Sequence, residues 1–142
     1  MHINSLLSLG LLALTARAQR MTWNDGSQYA NKCGQTTWEP ITDGPSQALA
    51  SDCAEIVNKL NAAPAGGAFF SGVKDFKAIL NEGTCTFAVR GKDNGGFYMG
   101  RDDMMDLIRD GMARWTRNGK VAGGGRLRCG EMDAQWRIHV NV

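Results

Sequence analysis

Four cysteines, Cys33, Cys53, Cys85 and Cys129, limit what this chain can fold into more than any other feature. An even number in an exported chain reads as two disulfides, and four cysteines allow three connectivities. The spacing contains no CxxC pair, which argues against a zinc ribbon or a thioredoxin-like redox site. With 142 residues the chain has the length of one domain, since compact domains run to about 100 to 200 residues. That length supports a packed core, so the disulfides are staples rather than the whole framework.

Export is read from the start of the sequence. Ile3 to Leu14 is a short apolar run, and Ala16-Arg17-Ala18 follows it with small residues at the positions a signal peptidase accepts. Residues 1–18 are therefore expected to be a secretory signal, although the start carries no Lys or Arg. Cleavage after Ala18 removes Arg17 and leaves 15 basic and 14 acidic residues. The whole chain has a net charge of +2, too small for a protein whose task is to coat nucleic acid. No stretch approaches the roughly 18 apolar residues of a membrane span. No Asn-x-Ser/Thr acceptor occurs either, so N-glycosylation is not expected.

Periodicity divides the mature chain. Residues 19–32 are mostly polar and read as an N-terminal arm, with a single domain over 33–142. Thr36 to Ile41 favours an extended form, but Pro40 confines it to an edge, and Asp43-Gly44-Pro45 reads as a turn. From a cap at Ser51 or Asp52, the residues Cys53, Ile56, Val57 and Leu60 share one helical face. Pro64 and the glycines after it stop that helix. Val73 to Leu80 and Cys85 to Val89 read as a hairpin around Asn81-Glu82-Gly83, with Cys85, Phe87 and Val89 facing inward. Phe97 to Met99 is extended. A second helix, capped by Asp102 or Asp103, buries Met105, Ile108, Met112 and Trp115, and Asn118-Gly119 ends it. Gly123-Gly124-Gly125 reads as a flexible hairpin tip, and the alternation of Trp136, Ile138 and Val140 marks a last strand. Two amphipathic helices over an antiparallel sheet make an α+β sandwich. Burial favours Cys53 with Cys85 and Cys33 with Cys129, though the sequence leaves the other connectivities open.

Three constellations could carry chemistry. His139 is the one histidine of the mature chain and falls opposite the apolar face of its strand, so a solvent-facing role is expected. Asp102, Asp106 and Asp110 lie four apart beside Asp103 and could form the carboxylate stripe of a small hydrolase. A solvated helix face, with Asp106 paired to Arg109 and Asp110 to Arg114, explains them better. From Gly111 onward six basic residues, Arg114, Arg117, Lys120, Arg126, Arg128 and Arg137, stand against Glu131 and Asp133. Such a patch could meet anionic lipid or acidic wall polymers, with Trp115 or Trp136 adding a stacking surface.

The order of these pieces resembles a known family. Cys33-Gly34, Ser51-Asp52-Cys53, Gly83-Thr84-Cys85-Thr86-Phe87, Gly100-Arg101-Asp102-Asp103, Leu107-Ile108, Asn118-Gly119-Lys120-Val121, Cys129 and Trp136-Arg137-Ile138 are similar to the necrosis-inducing factors of fungi. These are the homologues of the extracellular protein two effector of the tomato leaf-mould fungus. The resemblance implies a secreted protein of a plant-associated fungus, found in the apoplast and associated with cell death. It also implies a fold similar to the α/β-sandwich killer toxin of the corn smut virus, a toxin linked to calcium uptake. The family carries no established catalytic residues, so only the cysteines carry over, as staples. The expectation is a non-enzymatic, monomeric effector without a cofactor, acting on a host or microbial membrane surface, channel or wall polymer and not on nucleic acid. The alternatives are a wall-glycan or anionic-lipid binding module and a small hydrolase.

Overall fold

The computed structural model describes residues 21–41 and 47–140. The expected signal and the Asp43-Gly44-Pro45 turn lie outside the described residues. In chain order the elements are β1 (Met21–Asp25), a 3-10 turn (Ser27–Tyr29), β2 (Ala48–Leu49), α1 (Ala50–Ala62), β3 (Gly66–Phe70), β4 (Lys77–Glu82) and β5 (Cys85–Gly91). They continue with β6 (Phe97–Gly100), α2 (Arg101–Trp115), β7 (Lys120–Val121), β8 (Gly123–Cys129) and β9 (Met132–Val140). All strand pairs are antiparallel, in a four-stranded sheet β4-β5-β9-β8, a three-stranded sheet β1-β3-β6 and a two-stranded sheet β2-β7. The fold is the expected α+β class, with the antiparallel pairing divided among three sheets rather than gathered in one.

The core forms where both helices lie against the inner face of the four-stranded sheet. Ile56, Val57 and Leu60 of α1 and Met104, Met105 and Ile108 of α2 join Phe87, Val89, Trp136 and Ile138 in one buried cluster. Alternation selects those strand residues, because every second side chain of β5 and β9 faces the helices. Gly111 lets α2 approach β9 closely, for a Cβ there would stand 3.2 Å from Ile138 and 3.4 Å from Trp136. Full burial of a large apolar side chain contributes about 1.5–3 kcal/mol, so Trp136, Phe87 and Ile138 are a large share of the stability.

Several expectations change. The segment read as an arm contains β1, whose five residues pair with β3 from Met21↔Phe70 to Asp25↔Gly66. Its polar character reflects one solvated face of a strand rather than a loose tail. Gly123, Gly124 and Gly125 are not a hairpin tip but lie inside β8, opposite Ile138, Arg137 and Trp136. They are glycines because the ring of Trp115, the Trp136 carbonyl and the Thr37 carbonyl come within 2.0–2.3 Å of where their Cβ atoms would be. The first hairpin begins later than its apolar run suggests, at Lys77, and a register shift between Ala78 and Leu80 turns Ile79 into the core. Thr36 to Ile41 behaves as read: Thr37 and Glu39 bond to the free edge of β8, before Pro40. Asn118 and Gly119, with φ of 53° and 75°, make the tight turn that joins Arg117 to Lys120.

The helix caps also differ. Gly100 is the N-cap of α2, and Asp103, three residues on, accepts its backbone N–H at 2.7 Å. α1 starts at Ala50 after Leu49, and Asp52 turns away to hold the β4–β5 hairpin.

Candidate functional site

The disulfides are Cys33–Cys129 and Cys53–Cys85, the pairing that burial favours. Around the second, α1 is bolted to the β4–β5 turn. Asp52 Oδ2 accepts from the backbone N–H of Thr84 at 2.8 Å and from its hydroxyl at 2.7 Å, and Thr84 Oγ1 accepts from Leu49 N–H at 2.9 Å. Those hydrogen bonds hold the Asp52 carboxyl below the usual carboxylate range, the backbone one contributing most. Gly83 makes room, since a Cβ would fall 2.6 Å from that carboxylate. Around the first disulfide, buried Asp103 accepts from the backbone N–H groups of Lys32 and Cys33 as well as Gly100. Burial pushes its carboxyl up, while the three N–H groups oppose that shift.

The expected carboxylate stripe does not form as one row. Asp102 pairs with Arg101 at 3.1 Å, and Asp103 is committed to backbone. Asp106 and Asp110 remain on an open cleft of about 640 Å³, with Gln35, Thr36 and Trp38 on its other side. Burial, then the neighbouring Asp110, pushes the Asp106 carboxyl up. The pairs Asp106–Arg109 and Asp110–Arg114 are absent among the ion pairs of the described residues. Arg114 instead stacks on Trp38, 4.2 Å from the ring centre. His139 is half-buried on the outer side of β9, opposite Thr86, and its Nδ1 lies 2.6 Å from the Val140 carbonyl. It is not among the residues lining the acidic cleft.

The structure also divides the basic patch. Arg114 lies at the end of α2, and Arg117 and Lys120 flank the Asn118-Gly119 turn, with Arg117 bonded to the Thr116 carbonyl. Arg126 and Arg128 of β8 and Arg137 of β9 project from the outer face of the four-stranded sheet. Two of those three charges are already matched. Arg126 pairs with Glu39 at 2.9 Å, and Arg128 faces Glu131 and Asp133 at 3.5 and 3.9 Å. Arg137 stacks on Phe76, 4.1 Å from its ring centre.

Sequence reasoning missed the partner of Arg137. Arg90 at the end of β5 stacks on the same Phe76 ring at 4.6 Å and donates from Nε to Gln135 at 2.6 Å. Arg90 also borders an open cleft of about 550 Å³, with Lys74, Lys92, Arg126 and Asp133. The signal was present in the alternation of β5, since Arg90 shares the parity of Thr86 and Ala88, opposite to inward Phe87 and Val89. The stacking role is corrected for Trp136, which is fully buried, donates its indole N–H to Thr36 at 2.8 Å and packs against Trp38, Trp115 and Phe87. Only Trp38 and Trp115 of this cluster keep partial exposure.

These features define a small α+β domain, locked by one fully buried and one partly exposed disulfide, that presents charged clefts on open surfaces around an aromatic core. The model of the Hce2 family, described as "pathogen effector; putative necrosis-inducing factor", matches residues 32–129, and the chain belongs to that family. The match takes in all four cysteines and ends at Cys129, one turn before β9. No match is found among curated proteins.

Proposed function

We propose that the protein is a secreted fungal effector that acts outside the cell, on host plant tissue or competing microbes, through surface recognition rather than catalysis. The observation that carries this reading is the effector-family match across a domain in which both disulfides tie distant segments to the core. Disulfides of this kind persist in oxidising, extracellular surroundings. No helix among the described residues is long and apolar enough to cross a membrane. His139, on the outer side of β9, is not among the residues lining the cleft that Asp106 and Asp110 share.

The test is purified, oxidised protein infiltrated into leaf tissue and added to microbial cultures. Tissue death or growth arrest is expected, and it should persist undiminished in the Asp106→Asn, Asp110→Asn double variant. Inertness in both assays overturns the effector reading. Loss of activity in the double variant, with unchanged thermal unfolding, overturns the non-catalytic part of it.

A further inference from the structure

We infer that the outer face of the four-stranded sheet, centred on Arg90, Phe76 and Arg137, binds the carboxylates of a linear acidic polysaccharide of the polyuronate type. The inference deepens the proposed function and rests on its extracellular setting, where such polymers are met.

The first support is uncompensated charge. Arg126 and Arg128 are matched by Glu39, Glu131 and Asp133. The Arg137 side chain makes no hydrogen bond or ion pair among the described residues, and that of Arg90 gives only its Nε, to Gln135. The terminal nitrogens of both guanidinium groups have no hydrogen-bond partner among the described residues. Lys74 and Lys92 add two exposed ammonium groups on the cleft that Arg90 borders, with no ion pair among the described residues. Asp133 is the acidic residue lining that cleft, and it already faces Arg128.

The second is preorganisation. Arg90 and Arg137 are diagonal neighbours on adjacent strands, because Ala88 pairs with Arg137 and Arg90 with Gln135. Both lean on one ring, and Gln135 fixes Arg90 further. A stacked guanidinium has already lost much of its rotamer freedom, so less is lost when it grips a carboxylate in the two-pronged geometry that suits its planar fork.

The third is shape. Arg90 and Arg137 stand diagonally on β5 and β9, while Lys74 and Lys92 lie before β4 and after β5, so the cations are spread over an open surface rather than caged around one small ion. A polymer with one carboxylate on each sugar meets such a spread of cations several times, and individually weak contacts then multiply. A membrane fits less well. Interfacial binding needs apolar area to enter the lipid, and the exposed large hydrophobic residue among the described ones is Leu49, in β2 of another sheet.

Binding of the oxidised full mature chain to polygalacturonate, measured by calorimetry and by retardation in polygalacturonate-containing native gels, is the test. Binding should weaken with added salt and vanish when the polymer is fully methyl-esterified, a comparison that needs no variant. The Arg90→Gln, Arg137→Gln double variant should bind about 10- to 100-fold more weakly. Arg128→Gln, which removes a matched charge, should stay within about twofold of wild type. Equal binding to the esterified polymer, no binding to polygalacturonate, unaltered binding by a folded double variant, or binding to phosphatidylserine vesicles or DNA in preference to the polymer would each overturn the inference. Because the readout is binding in solution, its failure leaves the leaf and microbial assays to judge the effector reading separately.

Discussion

Replacing Gly125 by alanine separates two accounts of the triple glycine with opposite signs. In a flexible hairpin tip, Gly→Ala restricts the unfolded chain and stabilises by about 0.4–1 kcal/mol. In β8 the new methyl carbon would stand 2.0 Å from the Thr37 carbonyl oxygen, 2.7 Å from Thr36 Oγ1 and 2.9 Å from Trp136 Nε1. The first of these is backbone, held at the sheet edge by Thr37 N–H bonding to the Arg126 carbonyl at 2.8 Å, so it cannot swing aside. Overpacking of this kind costs about 1–3 kcal/mol. The methyl also enters the contact between the Trp136 indole N–H and the Thr36 hydroxyl, 2.8 Å long, and an orphaned buried donor costs about 1–3 kcal/mol more. The sum, about 2–6 kcal/mol, lowers Tm by about 8–24 °C in a domain of this size. Thermal and urea unfolding followed by tryptophan fluorescence measure it directly. Gly123→Ala should be milder, since the ring it strikes is that of half-exposed Trp115, which can move. Gly34→Ala is the control, with only the Arg128 carbonyl 3.8 Å from its Cβ, and should leave Tm within a few degrees. A Gly125→Ala protein that melts at or above the wild-type temperature would refute the close-approach account of β8.

Chain entropy alone assigns about 3.7 kcal/mol to the Cys53–Cys85 link, with a separation of 32, and about 4.7 kcal/mol to Cys33–Cys129, with a separation of 96. Paired Cys→Ala variants should both lose several kcal/mol in urea unfolding, but graded reduction of the folded protein followed by alkylation should label Cys33 and Cys129 first, because Cys53 and Cys85 are fully buried while Cys33 is partly exposed. Simultaneous labelling of all four would contradict that order. Asp52, whose folded carboxyl titrates below its unfolded value of about 4, contributes stability that is present above that pH and lost as pH falls through the lower folded value. Asp52→Asn should therefore unfold more easily than wild type at pH 6, and the gap should close toward pH 3; a gap independent of pH would remove the Asp52–Thr84 clamp as its cause.

What could be read from the chain follows the reach of each physical signal. The helical faces of Ile56-Val57-Leu60 and Met105-Ile108 and the alternation of Phe87-Val89 and Trp136-Ile138 are local patterns, and burial obeys them. The disulfide pairing came close to legible because Cys53 and Cys85 each sit on such a face. The triple glycine misled because a glycine run looks the same whether it bends freely or makes room, and only Trp115 and Thr37, which approach from distant parts of the chain, distinguish the two. The arm misled for a related reason: β1 is recognised by its pairing with β3, not by its own sequence.

The basic third of the sequence shows the same limit on the functional side. A count of charges from Gly111 onward ranks Arg126, Arg128 and Arg137 alike, since formal charge carries no record of neighbours. Antiparallel register then places Asp133 opposite Arg128, and the edge segment brings Glu39 to Arg126. Exposed pairs of this kind contribute at most about 1 kcal/mol to stability, yet each cancels most of the field a distant anion would feel. Arg137 meets an aromatic ring instead of a carboxylate, which leaves its charge intact while fixing its position. Arg90, forty-seven positions earlier and outside the basic third altogether, reaches the same ring because β5 lies beside β9. On the proposed reading, the residues that grip an acidic partner on this face are the cations left unmatched among the described residues, and a ligand-binding measurement on Arg90→Gln and Arg128→Gln side by side turns on that distinction.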